Sequence, residues 1–170
     1  MTAVTPVTSY EPARLGEATR VLLAVHGGEP EGWARETRRT VALWVKPAVR
    51  ILAVLAVPCP PFTSLIPPAA RLYRAARAAW HDAEEKRVQR VIDDVAPALP
   101  GIPEVVWVPV AYGDAGRTIA EHARAWPADV LVMAVTPTAG FWLGAVHDRV
   151  IRHAGCPVLL TPGPGAGREA

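Results

Sequence analysis

The sequence predicts an α/β fold, a doubly wound five-stranded parallel sheet with helices on both faces. Two observations carry this expectation. Five short runs of apolar residues are continuous, as in strands buried on both faces, and they alternate with segments whose apolar residues recur at helical spacing. Strands alternating strictly with helices imply a parallel sheet covered by its crossover helices. With 170 residues, 51% of them hydrophobic and 20% charged, the chain has the size and apolar content of one globular domain.

The first strand is RVLLAV, Arg20 to Val25, closed by His26-Gly27-Gly28. Pro30 stands near a helix start, and Trp33, Thr37, Thr40, Val41 and Trp44 then recur at helical spacing until Lys46-Pro47, so a helix is expected over Glu31 to Val45. Ile51 to Val57 reads as a second buried strand. The proline-rich stretch Pro58 to Pro68 neither pairs nor coils regularly and is expected as a loop. From Ala69 to Ala96 a long amphipathic helix is expected, with Val88, Val91, Ile92 and Val95 on one face. Val105 to Val110 is the third strand. The turn at Gly113-Asp114 leads into a helix that turns Ile119, Ala123 and Trp126 inward, and Val130 to Val135 is the fourth strand. After a connection over Thr136 to Leu143, Ala145 to Ala154 is expected as the last helix, ended by Gly155, with Val158 to Thr161 as the fifth strand.

Three parts follow: a mobile N-terminal arm over residues 1–19, the folded domain over 20–162, and a disordered, glycine- and proline-rich tail over 163–170. The N-terminal residues lack the basic start and apolar stretch of a secretory signal, and the longest apolar run, Ile51 to Val57, is far short of the ~20 residues that cross a bilayer. With only two cysteines, Cys59 and Cys156, there is no disulfide framework and a cytoplasmic location is expected.

Missing residues exclude several chemistries. Asparagine is absent, and serine stands only at Ser9 and Ser64, so no G-x-S-x-G nucleophile elbow exists. Lysine occurs only at Lys46 and Lys86, neither after a glycine, which eliminates a P-loop. Eighteen basic residues balance sixteen acidic ones, which does not suit nucleic-acid binding. Doubly wound sheets bind ligands beyond the carboxyl ends of their strands. The expected pocket is therefore bounded by His26 to Gly28, Leu55 to Cys59 and Ala134 to Val146.

The segments RVLLAVHGGEP, YGDAGRTIAEHA and LGAVHDRVIRHAGCPVLLTP resemble the universal stress proteins, over about Arg20 to Pro162. The resemblance implies the strand order 3-2-1-4-5 and a dimer; some members bind ATP and others do not. The binders carry a glycine, two residues, a second glycine, nine residues, then glycine followed by Ser or Thr. Matching strand four places Ala134 and Pro137 at the first two glycines, leaves six residues from Thr138 to Leu143 before Gly144, and puts Ala145 at the hydroxyl position. Many binders also have an acidic residue at the end of strand one, where this chain has His26. Pro137 offers no N–H to a phosphate and Ala145 no hydroxyl, while a helix start at Gly144-Ala145 would keep free amides for an anion. The candidate site residues are His26, Gly27, Leu55, Ala134, Gly144, Ala145 and Val146, with ATP or AMP as the cofactor the family would take.

His26 reads either as a pH-sensitive switch or as a hydrogen-bonded residue at the pocket edge. No metal site is expected: His147 and His153 do not share a helical face, and His81, Glu84 and Glu85 share one that otherwise looks solvated. Cys156 is expected as a small buried hydrophobe and Cys59 as exposed. Most of the six tryptophans are expected in the core, and Phe141-Trp142 to fill the vacated phosphate region or form a partner surface. Val158, Leu159 and Leu160, on an edge strand, are expected to pair two copies. The resulting expectation is a non-catalytic, dimeric regulatory or interaction module with a degenerate nucleotide site. The rivals are an adenine-nucleotide sensor and a nucleotide-hydrolysing enzyme using Asp114, Asp148 and His147.

Overall fold

The computed structural model describes residues 20–44, 47–57, 69–111, 114–135 and 140–162. The expected N-terminal arm, the proline-rich loop, Cys59, Pro137 and the C-terminal tail lie outside them. Strands β1 (Arg20–Val25), β2 (Ala48–Val57), β3 (Glu104–Ala111), β4 (Val130–Val135) and β5 (Val158–Pro162) form one sheet in the order β3-β2-β1-β4-β5. Every pairing is parallel, with β1 central: Leu23 faces Ile51 of β2 and Val132 of β4. The connecting helices are α1 (Trp33–Val41), α2 (Ala69–Val95), α3 (Ala115–Ala125) and α4 (Gly140–His153).

The continuous apolar runs are explained by two cores, one on each face of the sheet. Val21, Leu23 and Val25 of β1 join Ile51, Val132 and the α1 and α2 residues Trp33, Val41, Val88, Ile92 and Val95. The alternate residues Leu22 and Ala24 join Leu52, Leu131, Ile119, Ala123 and Val150 on the α3 and α4 side. Successive strand side chains point to opposite faces, so a strand covered on both must be apolar at every position.

Several boundaries differ from the sequence expectation. Helix α1 starts at Trp33 and not at Glu31, because Gly32 adopts a left-handed conformation (φ 79°) before the first helical turn. It ends at Val41, followed by tightened bonds from the Leu43 N–H to the Thr40 carbonyl and from the Trp44 N–H to the Val41 carbonyl. Strand β2 starts three residues earlier than Ile51, and β3 one earlier than Val105. Arg50, the third residue of β2, and Glu104, the first of β3, are charges that interrupt the apolar run and conceal the start of each strand. The Arg50 guanidinium donates to Glu104 Oε2 from Nε (2.9 Å) and from its terminal nitrogen (2.6 Å), and lies 4.6 Å from the centre of the half-buried Trp126 ring. One turn of 3-10 helix, Ala96–Ala98, follows α2, where Pro97 supplies no N–H to continue the α pattern.

The largest correction concerns α4, which begins at Gly140, five residues before the expected Ala145. Gly144 does not break it; an interior glycine costs only about 1 kcal/mol relative to alanine. Gly144 and Ala145 therefore lie in the second turn, where backbone N–H groups bond the carbonyls four residues back. The free amides belong to the first turn, so the expected anion-receiving amides at Gly144-Ala145 are corrected.

Candidate functional site

The carboxyl ends of β1 and β4 adjoin at the point where the strand order reverses, the usual place for a ligand in an open parallel sheet. On β1 the chain leaves the sheet in the turn His26 to Glu29. Gly27 has a φ of 79°, and a Cβ there would stand 3.0 Å from both the Arg87 Cγ and the Val88 backbone nitrogen, so the turn fits directly against α2. The His26 N–H donates to Glu29 Oε1 (2.6 Å), and the Gly28 N–H donates to His26 Nδ1 (2.9 Å). A neutral ring therefore carries its proton on Nε2. Glu29 Oε1 also lies 3.2 Å from Nδ1, so a proton added there would exchange the Gly28 contact for an ion pair.

Glu29 is the residue the sequence reading missed. Its side chain is 3% exposed, and its Oε2 is buried with no hydrogen-bond partner. Burial pushes its pKa up, but the hydrogen bonds and charge offered by His26 outweigh that push and hold it below the ordinary carboxylate value. Its place three residues after His26, the position where many binders of the family carry an acidic residue, in a glycine turn, was the available signal.

Across the switch point, Trp33 at the head of α1 is 1% exposed and donates from Nε1 to Thr161 Oγ1 of β5 (2.6 Å). Thr161 in turn donates to the Met133 carbonyl of β4 (3.2 Å). One buried chain of hydrogen bonds thus ties α1 to β4 and β5 at their carboxyl ends. On the opposite face, His147 Nε2 of α4 donates to the Ala134 carbonyl (3.0 Å).

The sequence-predicted residues divide accordingly. His26 and Gly27 stand at the crevice. Leu55 (3% exposed) and Ala134 (5%) are core residues, joined to Trp33 in one buried cluster, and Val146 is half-buried against the other. Gly144 and Ala145 are helical; the structure describes the backbone of this turn and not the side chains of Phe141, Trp142 and Ala145. The polar residues of the hydrolase reading are not brought together by any described contact: Asp114 lies 3.6 Å from Arg117, Asp148 pairs with Arg152 at 3.0 Å, and His147 holds Ala134.

On α2, His81, Asp82 and Glu85 bring ligand atoms within 4.8 Å of one another. Glu84, which shares a helical face with His81, pairs instead with Arg87 at 2.6 Å. Cys156 is half-buried at the opposite end of the sheet. Burial, then the Asp129 charge, push its thiol up to about 11, which leaves little thiolate for redox chemistry. Among the described residues no helix is long and apolar enough to cross a membrane.

Residues 17–162 match the family model described as the universal stress protein family. No curated protein matches the sequence. Among solved structures, the hypothetical protein MJ0577 is similar at 15% identity and a TM-score of 0.59, over 88% of this chain and 99% of that one. The universal stress protein UspA from Lactobacillus plantarum aligns at 22% identity and a TM-score of 0.50, over 85% and 97% of the two chains. A universal stress protein from Archaeoglobus fulgidus aligns at 16% identity and the same TM-score of 0.50, over 85% and 93%. At these identities the likeness is one of fold.

Proposed function

Because the chain belongs to the universal stress protein family, we propose that it is a non-catalytic regulatory or interaction module whose nucleotide site has degenerated, working as a cytoplasmic homodimer. The observation that carries this reading is the buried hydrogen-bond chain across the switch point. Trp33, fully buried, reaches Thr161 and through it Met133, so side chains occupy the region across β1, β4 and β5 on the α1 side. The losses at Ala134, Pro137 and Ala145 in the binding pattern point the same way, as does the engagement of Gly144 and Ala145 within α4. The separate pairings of Asp114, His147 and Asp148 favour a module without hydrolytic machinery.

The dimer reading rests on the sheet edges. Strand β5 is an edge, and its Val158, Leu159 and Leu160 are only half-buried. The other edge, β3, carries the exposed Pro109, a residue that edges use to discourage pairing.

One observation favours the rival adenine-nucleotide sensor. The unpartnered Glu29 Oε2 offers a buried acceptor near the end of β1, where a ligand's N–H or O–H would relieve its desolvation. Calorimetry with ATP and AMP, beside mass spectrometry of small molecules carried through purification, separates the readings. Absence of measurable ATP binding is expected; micromolar ATP affinity would establish the sensor instead.

A further inference from the structure

Helix α2 outruns the sheet. The turn at Gly27 abuts α2 at Arg87 and Val88. From there, at 1.5 Å per residue, Arg77 lies about 15 Å and Arg74 about 20 Å beyond the end of β1. Strand β2 also continues past β1, since Val25 pairs with Ala53 while β2 runs to Val57, but those four residues add only ~13 Å. The first turns of α2 thus stand at and beyond the carboxyl rim of the sheet, and Leu72 and residues 74 to 79 are all exposed. Among the described residues, β2 steps past the end of β1, with the turn from His26 to Glu29 below the step and α2 beside it.

Arg74, Arg77, His81, Glu84, Val88, Val91 and Val95 repeat at spacings of three and four, so they share one face of α2. Where that face lies on the sheet it is apolar: Val88 and Val95 are 0% exposed. At the rim it becomes Glu84 and His81, and beyond the rim it presents two guanidiniums. The same sequence segment, Ala69 to Ala79, contains Arg71, Arg74 and Arg77 and no carboxylate.

That charge arrangement opposes helix stability. Like charges three residues apart on a helix repel, whereas a free-standing helical segment would gain from Glu–Arg pairs. Three other helical arginines, Arg39, Arg87 and Arg152, each stand within 3.0 Å of a carboxylate oxygen on their own helix, whereas Arg35, Arg38, Arg90 and Arg124 pair with none among the described residues. Among the described residues Arg74 and Arg77 have no ion-pair partner, and they stand where an open parallel sheet receives its ligands. A phosphate between them would turn the repulsion into two charge-assisted, bidentate contacts. We propose that Arg74 and Arg77 form an anion-binding rim that takes the phosphate of a small phosphorylated ligand, independently of the degenerate region between β4 and α4.

The test uses the full chain at low ionic strength, with inorganic phosphate, AMP and adenosine followed by calorimetry and thermal melting. Phosphate and AMP should bind and raise the melting temperature, adenosine should not, and affinity should fall with added salt. Equal affinities for phosphate and AMP would identify the free anion as sufficient; tighter AMP would identify a nucleotide source. Arg74→Ala/Arg77→Ala should weaken both ligands by tenfold or more while melting at or above the wild-type temperature without ligand, since both side chains are exposed and repulsion is removed. Arg74→Lys/Arg77→Lys, which keeps charge but not the bidentate fork, should lose less. The proposal is overturned if phosphate does not bind, if adenosine binds as well as AMP, or if the double alanine variant binds like wild type. Tight ATP binding that survives the double substitution would overturn both this proposal and the degenerate-site reading.

Discussion

Thr161→Val, Trp33→Phe and the double variant test the buried chain of hydrogen bonds that spans the switch point. Valine keeps the shape of Thr161 but removes the acceptor of the Trp33 indole N–H, 2.6 Å away, and the donor to the Met133 carbonyl. Thr161 is 4% exposed and Trp33 1%, so water cannot replace the lost partner. Stranding a buried N–H costs about 1–3 kcal/mol, and losing the second bond about 0.5–1.5 kcal/mol. Thr161→Val should therefore destabilise by roughly 2–4 kcal/mol, a drop in melting temperature of about 4–16 °C for a chain of this size. Trp33→Phe pays a packing cost of its own, but it removes the N–H that valine would strand. In that background Thr161→Val should cost only the bond to Met133, leaving a coupling of about 1–3 kcal/mol. Urea denaturation of the four proteins measures it, with equal m-values as the control that they unfold alike. A coupling below about 0.5 kcal/mol would refute the reasoning and leave Trp33 as ordinary core packing. An opened crevice in Trp33→Phe that gains ATP affinity would add that the indole is what keeps nucleotide out.

Glu29→Gln should cost about 1–3 kcal/mol at pH 7, because an amide replaces a buried carboxylate that accepts the His26 N–H. The folded pKa of Glu29 lies below the ordinary carboxylate value of 4.5, so its stabilising contribution is present above that value and fades as pH falls through the folded pKa; denaturation curves should converge for the two proteins in acid, and parallel curves would contradict the assignment. Leu159→Lys, on the open β5 edge, should convert a dimer to monomer by light scattering, and a wild-type monomer at micromolar concentration would remove the dimer reading. Ala145→Ser should leave ATP affinity unchanged in calorimetry, since its hydroxyl enters the second turn of α4 and restores no backbone cradle; micromolar binding by the single variant would show that the cradle was never lost.

The fold was legible because each strand is buried on both faces. That condition forces apolar residues at every position of Val21 to Val25 and Val130 to Ala134, and no helix face imitates such a run. Helical periodicity likewise announced the packed half of α2 through Val88, Ile92 and Val95. Where strands begin with charged residues the signal failed: Arg50 and Glu104 look like loop residues until they meet each other across β2 and β3. The start of α4 was also hidden, because no capping signal separates Gly140 from Gly144 in the sequence, and the family pattern drew attention to the second glycine.

The site depended far more on tertiary structure. Sequence alone located the carboxyl ends of the strands and singled out His26 and Gly27, but it took Leu55 and Ala134 for pocket walls, and packing made both core. Glu29 reads as one more surface carboxylate until the turn folds it under His26 and buries it, and the partnership of Trp33 with Thr161 spans 128 residues of chain. Local propensity and periodicity act over a few residues, so they determined the elements and their order. Burial, the pairing of distant polar groups and the overhang of α2 arise only when those elements pack, and these decided which groups face one another at the carboxyl ends of the strands.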